Sequence, residues 1–91
     1  MARVQLTREA TRHFDTLPPR LQGPVLNSLT DLEIDPHVAG KPLFGRLKGL
    51  WSARIGNYRL IYYIEGRKRS PQVIVRAIQH LASVYEHRRR R

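Results

Sequence analysis

Arginines and aromatic residues share a strand pattern in residues 46–66, which read RLKGLWSARIGNYRLIYYIEG. Apolar residues occupy every second position, and Arg54 and Arg59 lie among the intervening ones. Because successive side chains of a strand point to opposite faces, the pattern predicts two half-buried strands with arginines on one face. Guanidinium groups beside flat rings suit phosphates and stacked bases, so this face is predicted to bind or act on nucleic acid. A solvated polar face is the alternative, although only Glu65 lies nearby to balance the charge.

The predicted strands, residues 47–56, 58–65 and 73–79, divide their side chains between two faces. The face expected to form the core carries Trp51, Ala53, Ile55, Tyr58, Leu60, Tyr62, Ile64, Val73, Val75 and Ala77. The opposite face is expected to display Arg54, Arg59, Ile61, Tyr63, Ile74, Arg76, Ile78 and His80. This division holds for strands without a bulge, because a slip of one residue reverses every later side chain.

Charge is distributed unevenly along the chain. The formal net charge is +10 over 91 residues. Residues 1–35 hold four basic and five acidic groups, whereas residues 36–91 hold thirteen basic and two acidic groups. A strongly cationic half predicts an anionic partner, either nucleic acid or an acidic protein. The alternative is a basic protein whose charge serves only to keep it in solution.

The remaining segments predict the elements that position the strands. Residues 4–6 indicate a short strand, and Thr7 is the expected N-cap of a helix that ends before Pro18. A second helix follows and is expected to kink or restart at Pro24. Residues 36–46 indicate a loop, and Gly56-Asn57 fits a tight hairpin turn.

Together these elements predict one α+β domain over residues 1–91, in the order β-α-α-β-β-β. The two helices form a hairpin packed on one face of an antiparallel sheet, followed by a short C-terminal helix or tail with residues 88–91 disordered. The chain has no cysteine, no signal-peptide pattern and no transmembrane run, which predicts a cytoplasmic protein without a membrane partner. His13 and His37 lack metal-ligand spacing and are expected on the surface, so neither a metal nor a cofactor is expected.

The order of several motifs resembles the RelE/ParE toxin superfamily, and its RelE branch in particular. The segment KPLFGRLKGLWSARIGNYRLIYYI is followed by VIVRAIQHLASVY, and GNYRLIY is the most specific part of the resemblance. The resemblance implies a RelE-like fold and the toxin of a bacterial type II toxin–antitoxin system. RelE-like toxins are ribosome-dependent endoribonucleases that cut messenger RNA without a metal.

The resemblance also implies roles for individual residues. Arg59 would hold the phosphate and stabilise the transition state, with Arg54 as a second electrostatic clamp. His80 matches the family histidine and would act as acid or base, or else orient the C-terminal segment from the surface. Tyr85 matches a tyrosine that contacts the base. Further contacts to RNA or phosphate are expected from Lys41, Arg46, Lys48, Arg76 and Tyr63.

The partners implied are an acidic RelB-like antitoxin, the ribosome and messenger RNA, with operator DNA bound only through the antitoxin. Two positions depart from the family pattern, since Leu81 replaces a common arginine and Ser52 replaces a lysine found in some active members. These departures leave open whether Arg76 or Lys48 substitutes for the missing cations, or whether the chain is a weakened member that acts mainly as an antitoxin-bound co-repressor. A separate alternative is a ParE-like inhibitor of DNA gyrase.

Overall fold

The computed structural model describes residues 1–82, which form one sheet with helices against it. The strands are β1 (Arg3–Leu6), β2 (Lys41–Pro42), β3 (Trp51–Ile55), β4 (Tyr58–Arg67) and β5 (Ser70–His80). The α-helices are α1 (Arg8–Asp15), α2 (Pro19–Ile34) and α3 (Pro36–Ala39), and a 3-10 helix spans Gly45–Leu47. Over residues 1–82, no helix combines the length and the apolar character that crossing a membrane requires.

The sheet has the strand order β1-β5-β4-β3-β2, which confirms the predicted α+β class with early helices and a late meander. Strands β2 to β5 pair antiparallel, as predicted, whereas β1 pairs parallel to β5. Two antiparallel pairings separate β3 from β5, so β3 and β5 run in the same direction. The helices that follow β1 return the chain across the sheet, so β1 runs in that direction too. The sheet is therefore mixed, and the two-residue strand β2 is an edge strand within a segment predicted as a loop.

The helices begin where their local chemistry allows. The Thr7 hydroxyl accepts a hydrogen bond from the backbone N–H of Ala10 at 3.1 Å, which confirms the predicted N-cap of α1. Helix α2 continues through Pro24, so the predicted restart is wrong, and a kink at Pro24 stays a prediction. Proline lacks the N–H that would donate to the carbonyl of Arg20. Arg20 is exposed, so water can donate a hydrogen bond to that carbonyl instead.

The core lies between the helices and the helix-bearing face of the sheet. Its largest fully buried side chains are Val25, Leu32, Leu60, Tyr62, Val73 and Val75. The predicted core set is confirmed apart from Ala77, which is only half-buried. Ile78, predicted on the opposite face, is buried in the core instead.

A β-bulge in β5 explains this exchange. The register passes from Val75 opposite Tyr62 to Ala77 opposite Ile61, which leaves Arg76 as an extra residue. In a bulge two residues oppose one, so Arg76 and Ala77 both lie opposite Ile61. Every residue of β5 after Arg76 therefore points to the face opposite to the one predicted from strict alternation.

The turn between β3 and β4 sets the relative position of the two central arginines. Gly56 has a φ of +58°, and no non-glycine residue in the described part of the chain has a positive φ. The pair Gly56-Asn57 thus has glycine first with a negative φ after it, as in a type II′ hairpin turn. The predicted tight hairpin is confirmed, and it places Arg54 directly opposite Arg59.

Tyr62 anchors α3 to the sheet and makes the fold sensitive to alkali. Its hydroxyl donates a hydrogen bond to the carbonyl oxygen of Pro36 at 2.7 Å. Burial, reinforced by the negative charge of Asp35, raises the pKa of Tyr62 from 10.0 to about 12.

We expect the contribution of Tyr62 to the free energy of unfolding to be largest below pH 10 and to fall as the pH rises toward 12. The unfolded phenol ionises first in that window, so ionisation favours the unfolded chain. Tyr62→Phe should cost about 1–2 kcal/mol below the window, because the Pro36 carbonyl loses its partner. Urea unfolding of both proteins should show their difference shrinking across the window, and a constant difference would contradict the assignment.

Candidate functional site

A cavity of about 770 Å³ opens on the face of the sheet opposite the helices, which we call the open face, and reaches around the edge of β5 to α1. The strands β4 and β5 contribute Arg59, Ile61, Arg76, Ala77, Ile78, Gln79 and His80 to it. The segment between β2 and β3 contributes Leu43, Leu47 and Leu50, and α1 contributes Glu9 and His13. This volume lies within the range of about 300–1,000 Å³ that is typical of ligand sites.

The segment between β2 and β3 is held in place by its own backbone. The N–H of Leu43 donates to the carbonyl of Leu50 at 2.8 Å, which closes the segment at its base. Leu43, Leu47 and Leu50 then form an apolar wall beside Arg59. An apolar wall lowers the local dielectric constant, so a charge at Arg59 interacts more strongly there than in bulk water.

Arg54 and Arg59 form a pair of like charges on adjacent strands. They are direct cross-strand partners, so both side chains project from the open face, as predicted. Like charges placed directly opposite each other are destabilising. Among residues 1–82 no carboxylate forms an ion pair with either arginine, since the ion pairs found there involve histidines. The arrangement therefore keeps an electrostatic cost that an anion would relieve.

The two arginines differ in how they are held. Arg54 is exposed, and its Nε donates to the carbonyl of Gly56 at 2.9 Å, which fixes the side chain over the hairpin turn. The Nε atom of Arg59 is buried and has no hydrogen-bond partner among the described residues. A buried donor without a partner costs about 1–3 kcal/mol. Arg59 is thus an unsatisfied donor group at the wall of the cavity.

The other predicted cations surround these arginines. Arg76, the extra residue of the bulge, is exposed and lines the cavity with Arg59. Lys41 of β2 is exposed and lies opposite Ser52 in the register, so it projects from the same face as Arg54. A lysine therefore stands beside the position at which the sequence lacks one.

The remaining predicted contacts lie around the rim. Arg46 and Lys48 are exposed on the segment whose leucines line the cavity, but neither lines it. Tyr63 is half-buried on the open face opposite Ile74, beyond the cavity. Of the predicted site residues that the structure describes, Arg59, Arg76 and His80 line the cavity, and the others lie around it.

His80 departs from its predicted orientation. Strict alternation placed it beside Arg59, but after the bulge it lies opposite Tyr58, a residue of the helix-bearing face. Its ring packs edge-on against Tyr58 with ring centroids 4.8 Å apart, and its Nδ1 accepts the N–H of Ala82 at 3.0 Å. Both contacts orient the end of β5, which fits the alternative role predicted for this ring. His80 still lines the cavity with Arg59, so its acid–base role stays a prediction. Tyr85 and the predicted tail 88–91 lie outside the described residues.

Two cavity residues were not identified from the sequence. His13 was expected on the surface without a role, yet it is half-buried and its Nδ1 accepts the N–H of Ile78 at 3.1 Å. Its Nε2 lies 3.9 Å from Oε2 of Glu9, one helical turn earlier. The i, i+4 spacing of these residues on α1 was the available signal, but the packing of α1 against the edge of β5 has no signature in the sequence.

The chemistry open to this site is that of an anion-binding cavity with one carboxylate at its edge. In the described part of the chain, no group of three histidines and carboxylates is placed to hold a metal ion. The guanidinium groups can bind a phosphate and stabilise charge that develops on it. The apolar wall of leucines can accommodate a base or a sugar.

Comparison with known proteins shows to which toxins the chain as a whole is similar. The family model described as "ParE toxin of type II toxin-antitoxin system, parDE" matches residues 4–85. The toxin RelG of Mycobacterium tuberculosis is 37% identical over 83 residues, which span 90% of this chain and 93% of that toxin. The toxin RelE of the same organism is 35% identical over 79 residues, which span 78% of this chain and 74% of that toxin.

Solved structures extend the comparison to three dimensions. The toxin–antitoxin complex RelBE2 of M. tuberculosis contains a chain with 37% identity and a TM-score of 0.77, covering 86% of this chain and 95% of that chain. The isolated RelE toxin of E. coli has a TM-score of 0.72 at 16% identity, covering 97% of this chain and 95% of that one. At this lower identity the similarity shows the fold alone.

Proposed function

This chain belongs to the ParE toxin family of type II toxin–antitoxin systems. From its similarity to the toxins RelG and RelE, we propose that it is an endoribonuclease that cleaves messenger RNA on the ribosome. The observation that supports cleavage most directly is the Arg54–Arg59 pair. These like charges face each other on the open face, without a carboxylate partner among residues 1–82. A phosphodiester is the anion that would relieve this repulsion in an RNA-cleaving toxin.

The proposed reaction uses the RNA's own hydroxyl group. The ribose 2′-oxygen attacks the adjacent phosphorus, and the bond from phosphorus to the 5′-oxygen then breaks. The intermediate carries an additional negative charge on phosphorus-bound oxygens, which is where preorganised cations lower the barrier. Arg59 is assigned to that charge because it lines the cavity without a carboxylate partner among residues 1–82, and Arg76 lines the same cavity.

The cations around the cavity are assigned to the RNA backbone. Arg54 and Lys41 extend the positive surface along the open face, and Arg46 and Lys48 extend it along the rim. Lys41 is assigned the role of the lysine that the sequence lacks at Ser52, because the register places the two residues side by side. Such contacts make binding dependent on salt.

We further propose an acidic antitoxin as the partner that silences the toxin. The similar chain in the RelBE2 structure belongs to a toxin–antitoxin complex. Carboxylates of an antitoxin would neutralise the same arginines that bind the phosphate, and the +10 charge of this chain favours such a partner. Binding of the antitoxin and of RNA would then be mutually exclusive at this cavity.

The experiment that tests the function is the mapping of message ends in a bacterial translation extract. We expect the purified chain to cut messages within translated codons, and to leave the same RNA intact when ribosomes are absent. Addition of the cognate antitoxin should prevent the cuts. Intact messages at a dose that stops growth in cells would contradict the proposal.

A supercoiling assay with DNA gyrase separates the two toxin classes. We expect no inhibition of supercoiling and no trapped cleaved DNA at toxin doses that cut messages. The names of the two relatives, RelG and RelE, favour the RNA-cleaving class. Inhibition of gyrase by a chain that leaves messages intact would assign it to the ParE-like class instead.

A further inference from the structure

We propose that Glu9, oriented by His13, is the base that removes the proton from the ribose 2′-hydroxyl; this assignment rests on the proposed function above. Both residues lie on α1, outside the strands that carry the arginines, and both line the cavity with Arg59 and Arg76. Glu9 is the one carboxylate among the described residues that line the cavity. The cavity thus contains cations for the phosphate and a separate proton acceptor.

The hydrogen bond to Ile78 determines which nitrogen of His13 carries the proton. Nδ1 of His13 accepts the backbone N–H of Ile78 at 3.1 Å, so it cannot itself be protonated. A neutral imidazole with an accepting Nδ1 carries its hydrogen on Nε2. That nitrogen lies 3.9 Å from Oε2 of Glu9, a separation that one bridging water or a small side-chain rotation closes.

The ordering of His13 follows from the topology of the sheet. Strand β1 ends at Leu6 and pairs with β5 only as far as Val75, so the edge of β5 beyond the bulge has no neighbouring strand. Helix α1 covers this edge, and His13 supplies the acceptor that a strand would otherwise provide to Ile78. The imidazole is therefore held by the main chain of the strand that also carries Arg76.

This arrangement divides the roles of the two side chains. With its hydrogen on Nε2 and Nδ1 accepting from Ile78, His13 has no free position at which to accept a proton. The Glu9 side chain is 66% exposed, which leaves its second oxygen free to accept a proton from a bound ribose. His13 is therefore a positioning residue, and Glu9 is the candidate base.

The proposed step balances in atoms and charge. The Glu9 carboxylate takes the proton of the 2′-hydroxyl, and the 2′-oxygen forms a bond to phosphorus. The bond between phosphorus and the 5′-oxygen breaks, and the 5′-oxygen leaves with its electron pair and takes a proton from water. The hydroxide that remains takes the proton from Glu9, which restores the carboxylate and the water. The products are a 2′,3′-cyclic phosphate and a 5′-hydroxyl, and no co-reactant is consumed.

The test is the cleavage rate of a message on programmed ribosomes, measured in single turnovers with the full chain as the pH is varied. We expect Glu9→Gln to slow cleavage about 100-fold or more, because a positioned base contributes about 10²–10⁴. Its remaining rate should rise steadily with pH, since hydroxide then takes the place of the carboxylate. The other charged or titratable groups lining the cavity, His13, Arg59, Arg76 and His80, are unchanged in this variant.

Glu65→Gln is the matched control, because it makes the same change at an exposed position of β4 that does not line the cavity. We expect it to keep the rate and pH profile of the unmodified chain. If Glu9→Gln also kept both, the assignment of the base would be wrong while the proposed function stood. If the unmodified chain did not cut, the proposed function itself would fail.

His13→Asn separates the positioning role from a purely structural one. The asparagine Oδ1 replaces Nδ1 as the acceptor for Ile78, so the edge of β5 keeps its hydrogen bond, but no donor reaches Glu9. We expect an unchanged melting temperature and a loss of about tenfold in rate, the size of one hydrogen bond to a charged group. A rate equal to that of the unmodified chain would show that His13 serves only to cover the strand edge.

Discussion

Replacement of Arg59 by methionine should reduce the rate of message cleavage by about 100- to 1,000-fold, the loss expected for one transition-state donor. Methionine keeps a long unbranched side chain against Ile61 and the leucine wall, so the cavity retains most of its packing. The change removes the guanidinium group that the proposed mechanism places on the phosphate. Single-turnover cleavage on programmed ribosomes measures the effect.

The same substitution should not destabilise the fold, which distinguishes it from an ordinary buried change. Nε of Arg59 is buried without a partner and faces the like charge of Arg54. Removal of an unsatisfied, repelled group is expected to be neutral or stabilising. Arg67→Met, at an exposed position on the same strand, is the control and should leave the rate unchanged. A fall in melting temperature together with the loss of activity would undermine the role assigned to Arg59.

Gly40→Ala should destabilise the protein by about 2–4 kcal/mol, from overpacking and a lost hydrogen bond together. A Cβ at this position would collide with the hydroxyl of Tyr62 and would lie 2.8 Å from the carbonyl oxygen of Ser52. The Ser52 oxygen belongs to the backbone and cannot move away easily. The Tyr62 side chain must therefore shift, which breaks its hydrogen bond to the carbonyl oxygen of Pro36. We expect the melting temperature to fall by about 10 °C or more, as measured by calorimetry.

Gly23→Ala is the matched control for this prediction. Gly23 lies inside α2, and a Cβ there would meet nothing within 4 Å. Alanine should stabilise the helix by about 0.5–1 kcal/mol, because glycine loses more backbone entropy on folding. Equal melting temperatures for the two alanine variants would show that Gly40 is not the point of close approach that we describe.

The sequence predicted the parts of the fold that depend on local periodicity. Alternation in residues 51–64 correctly placed the core side of β3 and β4, and Gly56-Asn57 correctly predicted the turn that brings Arg54 opposite Arg59. These features follow from neighbours along the chain. The sequence therefore predicted the central pair of the candidate site.

The errors arose where partners distant in sequence decide the outcome. The bulge at Arg76 is a property of the pairing between β4 and β5, and strict alternation therefore placed Ile78 and His80 on the wrong face. The parallel pairing of β1 likewise depends on how the helices return the chain. The position of His13 also depends on distant packing, because α1 covers the edge that β1 leaves open. The i, i+4 spacing of Glu9 and His13 does not by itself indicate that contact.

The mass of the upstream RNA fragment tests the central claim most directly. The account predicts that the unmodified chain leaves a 2′,3′-cyclic phosphate at the cut, that a 2′-deoxy nucleotide at the same position blocks the cut, and that Arg59→Met loses it. A fragment ending in a 3′-hydroxyl, or an unchanged yield with Arg59→Met, would contradict the assignment of RNA cleavage to this arginine cavity.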